Sequence, residues 1–322
     1  MSHDLSTFFL PDLPDAVEDY QTLRDSAEGF APSCRDEVNR LWAGFLDVCP
    51  DHPDQFRRQA AANLLGQVWT MWLARLLRSA GFKLEKAKAE GPDLTFLQGG
   101  RRYWIECIAA QPAEAAEFLE RAYRNGAGAS APAEQKRILR LTNALDAKRE
   151  AFAKYEAKRI VASGDVRIIA ISSGDLPGTD LVARDGLYPD IVKAAFGVGR
   201  PVFVLPVYVG HEDVPQPPPE IRTGYSPRKS VQKREGVDIP CTPFEGDTRY
   251  SGISGVYHHA LPLWPLLGGS GSLDFLHNPR ADVRVPLDEL PCLREYTKDA
   301  DAAEKHIMAH DRRERWKARF TG

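Results

Sequence analysis

The spacing of apolar positions divides the chain into elements. From 36 to 48, Val38, Leu41, Trp42 and Phe45 recur at helical spacing. A longer helix is predicted over 53–80, where Leu64, Leu65, Val68, Met71, Trp72, Leu76 and Leu77 form a wide apolar stripe and Gly81 is a natural stop. The period then shortens. Three short strands are predicted at 82–86, 93–97 and 103–108, with Gly99-Gly100 as the tight turn joining the last two. Residues 111–135 predict a short helix and then an Ala/Gly/Ser-rich mobile loop at 125–133. A long charged helix follows over 133–163. Residues 166–172 and 201–209 are strongly apolar and read as strands of the sheet interior, with Arg167 the ionisable residue in their middles. A proline cluster at 215–219 marks a stiff break, and 220–240 is basic and polar. Two late strands are predicted at 253–257 and 273–276, and a charged amphipathic helix over 300–319. Residues 1–35, rich in Pro, Asp and Ser, are expected to pack loosely.

This order of helix, antiparallel strands, helix, strand and strand predicts an α/β fold, a mixed central sheet flanked by helices on both faces. It divides into an N-terminal helical extension (1–52), a core (53–210) and a C-terminal elaboration (211–322) packed on the same core. With 43% hydrophobic residues in 322, there is ample material for that core. A formal net charge of -3 excludes a global basic field, so any nucleic-acid surface must be local. No apolar run reaches the roughly 18–20 residues that span a bilayer. Residues 1–19 are acidic rather than basic-then-apolar, so neither a secretory signal nor a membrane partner is expected. The five cysteines are scattered and form no CxxC pair, which argues against a zinc knuckle or a disulfide framework and for a cytoplasmic location.

Candidate chemistry concentrates in 81–110, GFKLEKAKAEGPDLTFLQGGRRYWIECIAA. Pro92-Asp93 opens one strand of the hairpin, and Glu106 lies in the middle of the next. Side chains alternate along a strand, so Glu106 shares a face with Trp104, Ile108 and Ala110, while Cys107 takes the other. A carboxylate in an apolar strand is costly to bury unless it is paired, hydrogen-bonded or bound to a cation. Asp93 and Glu106 converging at one end of the hairpin offer the oxygen ligands Mg²⁺ prefers, with waters and a phosphate filling the rest. Such a metal can activate water against a phosphodiester. Two plainer readings stand beside this one: Asp93 as a turn residue, and Glu106 in a buried ion pair with Arg101 or Arg140. On the long helix, Lys136, Arg137, Arg140, Lys148, Arg149, Lys154, Lys158 and Arg159 outnumber the acids, and Arg137, Arg140 and Lys148 fall near one face. That face is either simply solvated or, with Arg228 and Lys229, binds phosphates. His258-His259 point to opposite faces of a strand and make a poor chelate; His277-Asn278-Pro279 reads as a turn.

The Pro-Asp and Glu arrangement resembles the PD-(D/E)XK nuclease superfamily, which includes many restriction endonucleases. There the Asp of a Pro-Asp pair and the Glu of a Glu-X-Lys triplet bind Mg²⁺ from adjacent strands, and Pro92-Asp93 and Glu106-Cys107 match. Ile108 stands where the lysine belongs; in some members that lysine has moved to a neighbouring helix. The helix before the sheet often carries a further Glu, but no acid lies between Phe56 and Ala80 here, which leaves Gln67 or Thr70 for that place. The segment 138–148 with Tyr155, the strand 168–171, Gly252-Ile-Ser-Gly-Val256 and His277-Asn-Pro-Arg-Ala281 are similar to a bacterial subgroup, so the resemblance spans roughly 55–290. It implies a restriction-endonuclease-like fold and an endonuclease acting on DNA with Mg²⁺ or Mn²⁺. In that role Asp93 and Glu106 hold the metal. Lys148 is the displaced catalytic lysine, Lys136 the runner-up, and Gln67 and Arg140 lie near the site. A homodimer is compatible with this. The alternative is a catalytically degenerate relative that binds nucleic acid or a protein and cuts nothing.

Overall fold

The computed structural model describes residues 5–11, 13, 15–49, 52–86, 88–112, 131–176, 188–204, 222–234, 237–240, 243–267, 273–298 and 307–320. The chain starts with α1 (Glu18–Asp25) and α2 (Ala31–Phe45). This part is not loosely packed. Phe8, Tyr20 and Leu23 have no exposed surface. Phe8 meets Trp42 edge-on at 5.6 Å, and the Leu10 backbone N–H donates to the Tyr20 hydroxyl at 2.8 Å. A few large apolar side chains suffice to seat a proline- and aspartate-rich segment on α2.

The helix expected over 53–80 is two helices, α3 (Pro53–Ala62) and α4 (Leu64–Ser79). Asn63 breaks it with φ -149° and ψ 73°, and its side-chain oxygen accepts from the Gly66 N–H as the cap of α4. Gly66 is what lets the cap close, because a Cβ there would lie 2.4 Å from Asn63 Nδ2. The apolar stripe of α4 is buried as its spacing requires, from Leu64 to Leu77.

Strands β1 (Leu84–Glu85), β2 (Leu94–Gln98) and β3 (Arg101–Ala109) form an antiparallel meander. Gly99 and Gly100 turn β2 into β3 at φ 55° and 75°, a conformation glycine adopts without steric penalty. Helix α5 (Ala131–Ala157) then crosses back, and β4 (Val166–Ser172) lies parallel to β3. Next come α6 (Asp190–Phe196), β5 (Val198–Val204), β6 (Arg222–Pro227), β7 (Ser230–Arg234) and β8 (Val237–Pro240). The chain ends with β9 (Gly255–His259), α7 (Leu263–Leu267), β10 (Leu273–His277), β11 (Arg294–Lys298), β12 (Ile307–Asp311) and α8 (Arg313–Phe320). The architecture is mixed α/β around an eight-stranded sheet of order β1-β2-β3-β4-β9-β10-β11-β12. Strand pairs β4/β9 and β10/β11 are parallel, while β9/β10 and β11/β12 are antiparallel.

Alternation along the central strands feeds two apolar layers. Ile105, Cys107, Ile168, Ala170, Tyr257 and Phe275 face the layer built by α2, α3 and α4. Trp104, Ile169, Ile171, Val256 and Leu276 face the layer built by α5 and α6. Trp69 of α4 joins the first layer to the sheet by donating its indole N–H to the Ala170 carbonyl at 3.2 Å.

Further expectations need correction. The described part of the apolar run, 201–204, is not in the interior of the large sheet: it belongs to β5, which begins at Val198 and pairs with β6 in a separate two-stranded sheet. Apolarity marks a strand but not its partner. The basic stretch 222–234, expected to be a loop, holds β6 and β7, with β7 paired to β8. Helix α5 stops at Ala157, and just beyond it Arg159 takes a left-handed φ of 58°. Within the predicted 300–319 helix, the described residues from 307 on form β12 and the shorter α8. The short helix after 111, most of the 125–133 loop, residues 205–209 and the proline cluster at 215–219 lie outside the described residues. Among the described residues, no helix is long and apolar enough to cross a membrane.

Candidate active site

Glu106 sits in the middle of β3 on the α5 face, 5% exposed. Its neighbour Cys107 points to the opposite layer and is buried in the core, as alternation requires. The β2–β3 register runs Gln98↔Arg101 to Leu94↔Ile105. One step further, the same register sets Asp93 across from Glu106. Pro92, just before it, has no N–H with which to extend the ladder. Asp93 closes the end of the pairing with its side chain instead: Oδ2 accepts from the Cys107 backbone N–H at 2.7 Å. The two carboxylates therefore occupy adjacent strands at the point where β2 stops and β3 continues.

Helix α5 lies over this point. Leu141, Leu145 and Phe152 bury its inner stripe, and Lys148 and Tyr155 extend from the same side, seven residues and nearly two turns apart. Lys148 Nζ donates to Glu106 Oε1 at 2.8 Å, and the Tyr155 hydroxyl donates to the same oxygen at 3.3 Å. Glu106 Oε2 is buried with no hydrogen-bond partner among the described residues. Burial first, then the charge of Asp93, pushes the Glu106 carboxyl up to about 7, against the pull of Lys148 and Tyr155. Burial disfavours the Lys148 ammonium, but Glu106 and Asp93 outweigh it and hold that group above the ordinary lysine value. The result is an inward-facing pair of acids served by one charged donor and one neutral donor.

The other sequence candidates are distributed differently. Gln67 turns its amide to Gln59 Oε1 at 3.4 Å. Thr70, one turn on, is the α4 residue beside Cys107, where its hydroxyl eases a thiol that burial pushes well up. Arg137 is a correction. It is 1% exposed and donates to the buried Asp190 at 2.5 Å, so it ties α5 to α6 rather than offering charge to a ligand. Arg228 is engaged with Glu134 at 2.6 Å. Glu134 precedes Lys148 by fourteen residues, about 21 Å along the α5 axis at 1.5 Å per residue, so Arg228 does not flank the acids. Lys136 lies in the same early part of α5, and Lys229 is exposed between β6 and β7. Arg140 is half-exposed and, among the described residues, has no ion-pair partner. Glu106 does form a buried ion pair, but with Lys148 rather than Arg101, which pairs with Glu289 at 3.3 Å. The family resemblance pointed to Lys148 and gave Tyr155 no role. The seven-residue interval from Lys148 was the available signal, and it looks the same for a core tyrosine.

The histidines serve the scaffold. His259 packs against Trp69 and Trp72, with centroids 5.5 and 5.4 Å away. His277 closes β10 by pairing with Glu295 at 2.6 Å. The Asn278 amide donates to the carbonyls of Tyr250 and Ile253, which makes this turn a brace. Ser173 Oγ stands 2.9 Å from His258 Nε2, and His258 Nδ1 stands 3.8 Å from Asp274. The order mimics a serine hydrolase triad, but Ser173 has no exposed surface and the adjoining cavity is about 10 Å³, the room of one water. Arg294 also holds both Asp274 oxygens at 2.8 and 3.0 Å. This is a polar seam without space for a substrate.

Among the described residues, no group of three or more His, Cys, Asp or Glu side chains could hold a metal ion. Asp93 and Glu106 would therefore supply two oxygens and leave the remaining positions to water and substrate, a division Mg²⁺ tolerates well. The bare, buried Glu106 Oε2 fits such an ion. No family model, curated protein or solved structure matches this chain.

Proposed function

We propose that the protein is a Mg²⁺-dependent nuclease of restriction-endonuclease-like fold that hydrolyses phosphodiester bonds in DNA. The observation that carries this reading is the Lys148 ammonium on Glu106 Oε1, beside Asp93. The strand lacks the lysine that the Pro-Asp and Glu pattern requires, and α5 brings one to the same carboxylate. Asp93 and Glu106 would hold the metal, which when bound supplies a Lewis acid and a more acidic water. Lys148 keeps its proton at neutral pH. Its ammonium balances Glu106 and, from the same place, can orient the attacking water or steady a phosphate oxygen. Asp93 acts through its fixed rotamer, held by the Cys107 N–H.

A second reading rests on the same contact. A lysine closing a buried carboxylate is also a plain ion pair, and with Ile108 in the strand the protein would then be a nucleic-acid- or protein-binding module that cuts nothing. Cleavage assays on plasmid, linear and single-stranded DNA, with Mg²⁺ and with Mn²⁺, separate the two. The nuclease reading expects metal-dependent cleavage that Glu106→Ala abolishes. Absence of cleavage by the wild type with either metal leaves the binding module.

A further inference from the structure

The Glu106 carboxylate is held asymmetrically. Both of its donors, Lys148 Nζ at 2.8 Å and the Tyr155 hydroxyl at 3.3 Å, converge on Oε1, and both come from α5. Oε2 receives no hydrogen bond among the described residues although it is buried. One donor would leave the carboxylate free to swing about its terminal torsion, which is broad and roughly two-fold. Two donors from points nearly two helical turns apart grip Oε1 from different directions and fix the plane of the group. We infer that Tyr155 is a positioning residue: with Lys148 it anchors Oε1 so that Oε2 is presented, bare, to a divalent cation.

The packing supports this division of labour. The Tyr155 ring meets Phe152 edge-on at 6.1 Å, and Phe152 is buried in the inner stripe of α5, so the ring is placed by the core and only the hydroxyl is spent on Glu106. Partners that orient a ligand carboxylate tune metal affinity without touching the metal. Lys148 brings charge as well as orientation, whereas Tyr155 brings orientation alone. Loss of the Tyr155 hydroxyl should therefore weaken cation binding.

This inference rests on the reading of Asp93 and Glu106 as metal ligands, and the test uses Tyr155→Phe, which keeps the ring and its packing. Titration of the full-length protein with Mn²⁺ by calorimetry should show affinity about 10- to 100-fold weaker than wild type. A metal-free crystal structure of the variant should show the Glu106 carboxylate rotated from its wild-type plane about the Lys148 contact. An unrotated carboxylate together with wild-type Mn²⁺ affinity overturns the positioning role and leaves the nuclease reading standing. A rotated carboxylate in a protein whose wild type binds no Mn²⁺ supports the positioning role and removes the metal site it was inferred to serve.

Discussion

At the scale of single residues, the site consists of one strand carboxylate with unequal oxygens. Glu106 Oε1 has two donors and Oε2 has none among the described residues, and burial with Asp93 nearby makes the charged form expensive. Lys148 is the group that offsets this. Lys148→Ala should reduce turnover by about 10²- to 10⁴-fold with little change in substrate affinity, the range for loss of a positioned proton-transfer or charge-stabilising group. Steady-state kinetics of the variant check it, and unchanged turnover would remove Lys148 from the mechanism. His259 gives a prediction independent of any metal. Burial holds its ring down to about 3, while an unfolded chain titrates it near the ordinary value of 6.5. Between those values the unfolded state binds the extra proton, so the His259 contribution to stability is complete above pH 6.5 and is lost as pH falls toward 3. At pH 5 the loss is about 2 kcal/mol, taking 1.36 kcal/mol per pH unit below 6.5. Denaturant titrations at pH 8 and pH 5 should show a smaller fall for His259→Leu than for the wild type, and equal falls would rule out His259 as the source.

At the scale of elements, the decisive features are where β2 stops and which side of α5 faces it. Much of this was legible in the sequence. Alternation placed Glu106 and Cys107 on opposite faces, Gly99-Gly100 set the hairpin, and a carboxylate among Trp104, Ile105 and Cys107 flagged itself by the cost of burying it. What stayed hidden depended on partners far along the chain. Arg137 resembled a surface cation because its buried partner Asp190 is 53 residues away. The 53–80 helix read as continuous because the stripe persists through Asn63, whose capping role shows only in its bond to Gly66. β11 was missed because REYTK lacks an apolar run and buries a charged residue, Glu295, beside Tyr296. Asn63 also accepts from Gln111 at 3.2 Å, so the cap links the start of α4 to the segment after β3. Asn63→Ala should lower stability by about 1 kcal/mol, the usual value of an N-cap, seen as a shifted denaturant midpoint at constant slope. No shift would mean that the break is held by packing alone.

At the scale of the whole molecule, the sheet spans eight strands, and the acids lie at the start of the second strand from the β1 edge and on the third, between the α4 layer and the α5 layer. A net charge of -3 means that any binding of DNA must come from local cations. Arg140 lies on α5 eight residues before Lys148, half-exposed and without an ion-pair partner among the described residues, and is the best placed of these. If it meets a phosphate, Arg140→Ala should weaken DNA binding whatever the sequence and reduce the slope of log affinity against log salt by about 1. Binding measured across a salt series checks this, and an unchanged slope would remove Arg140 from the interface. The most direct test of the central claim is to locate the cation itself. Crystals of the wild-type protein soaked in Mn²⁺ should show an anomalous peak at bonding distance from both Glu106 Oε2 and the Asp93 carboxylate, and none in Glu106→Ala. A fully occupied Lys148–Glu106 pair with no peak beside it, at Mn²⁺ concentrations that saturate ordinary two-carboxylate sites, would contradict the account.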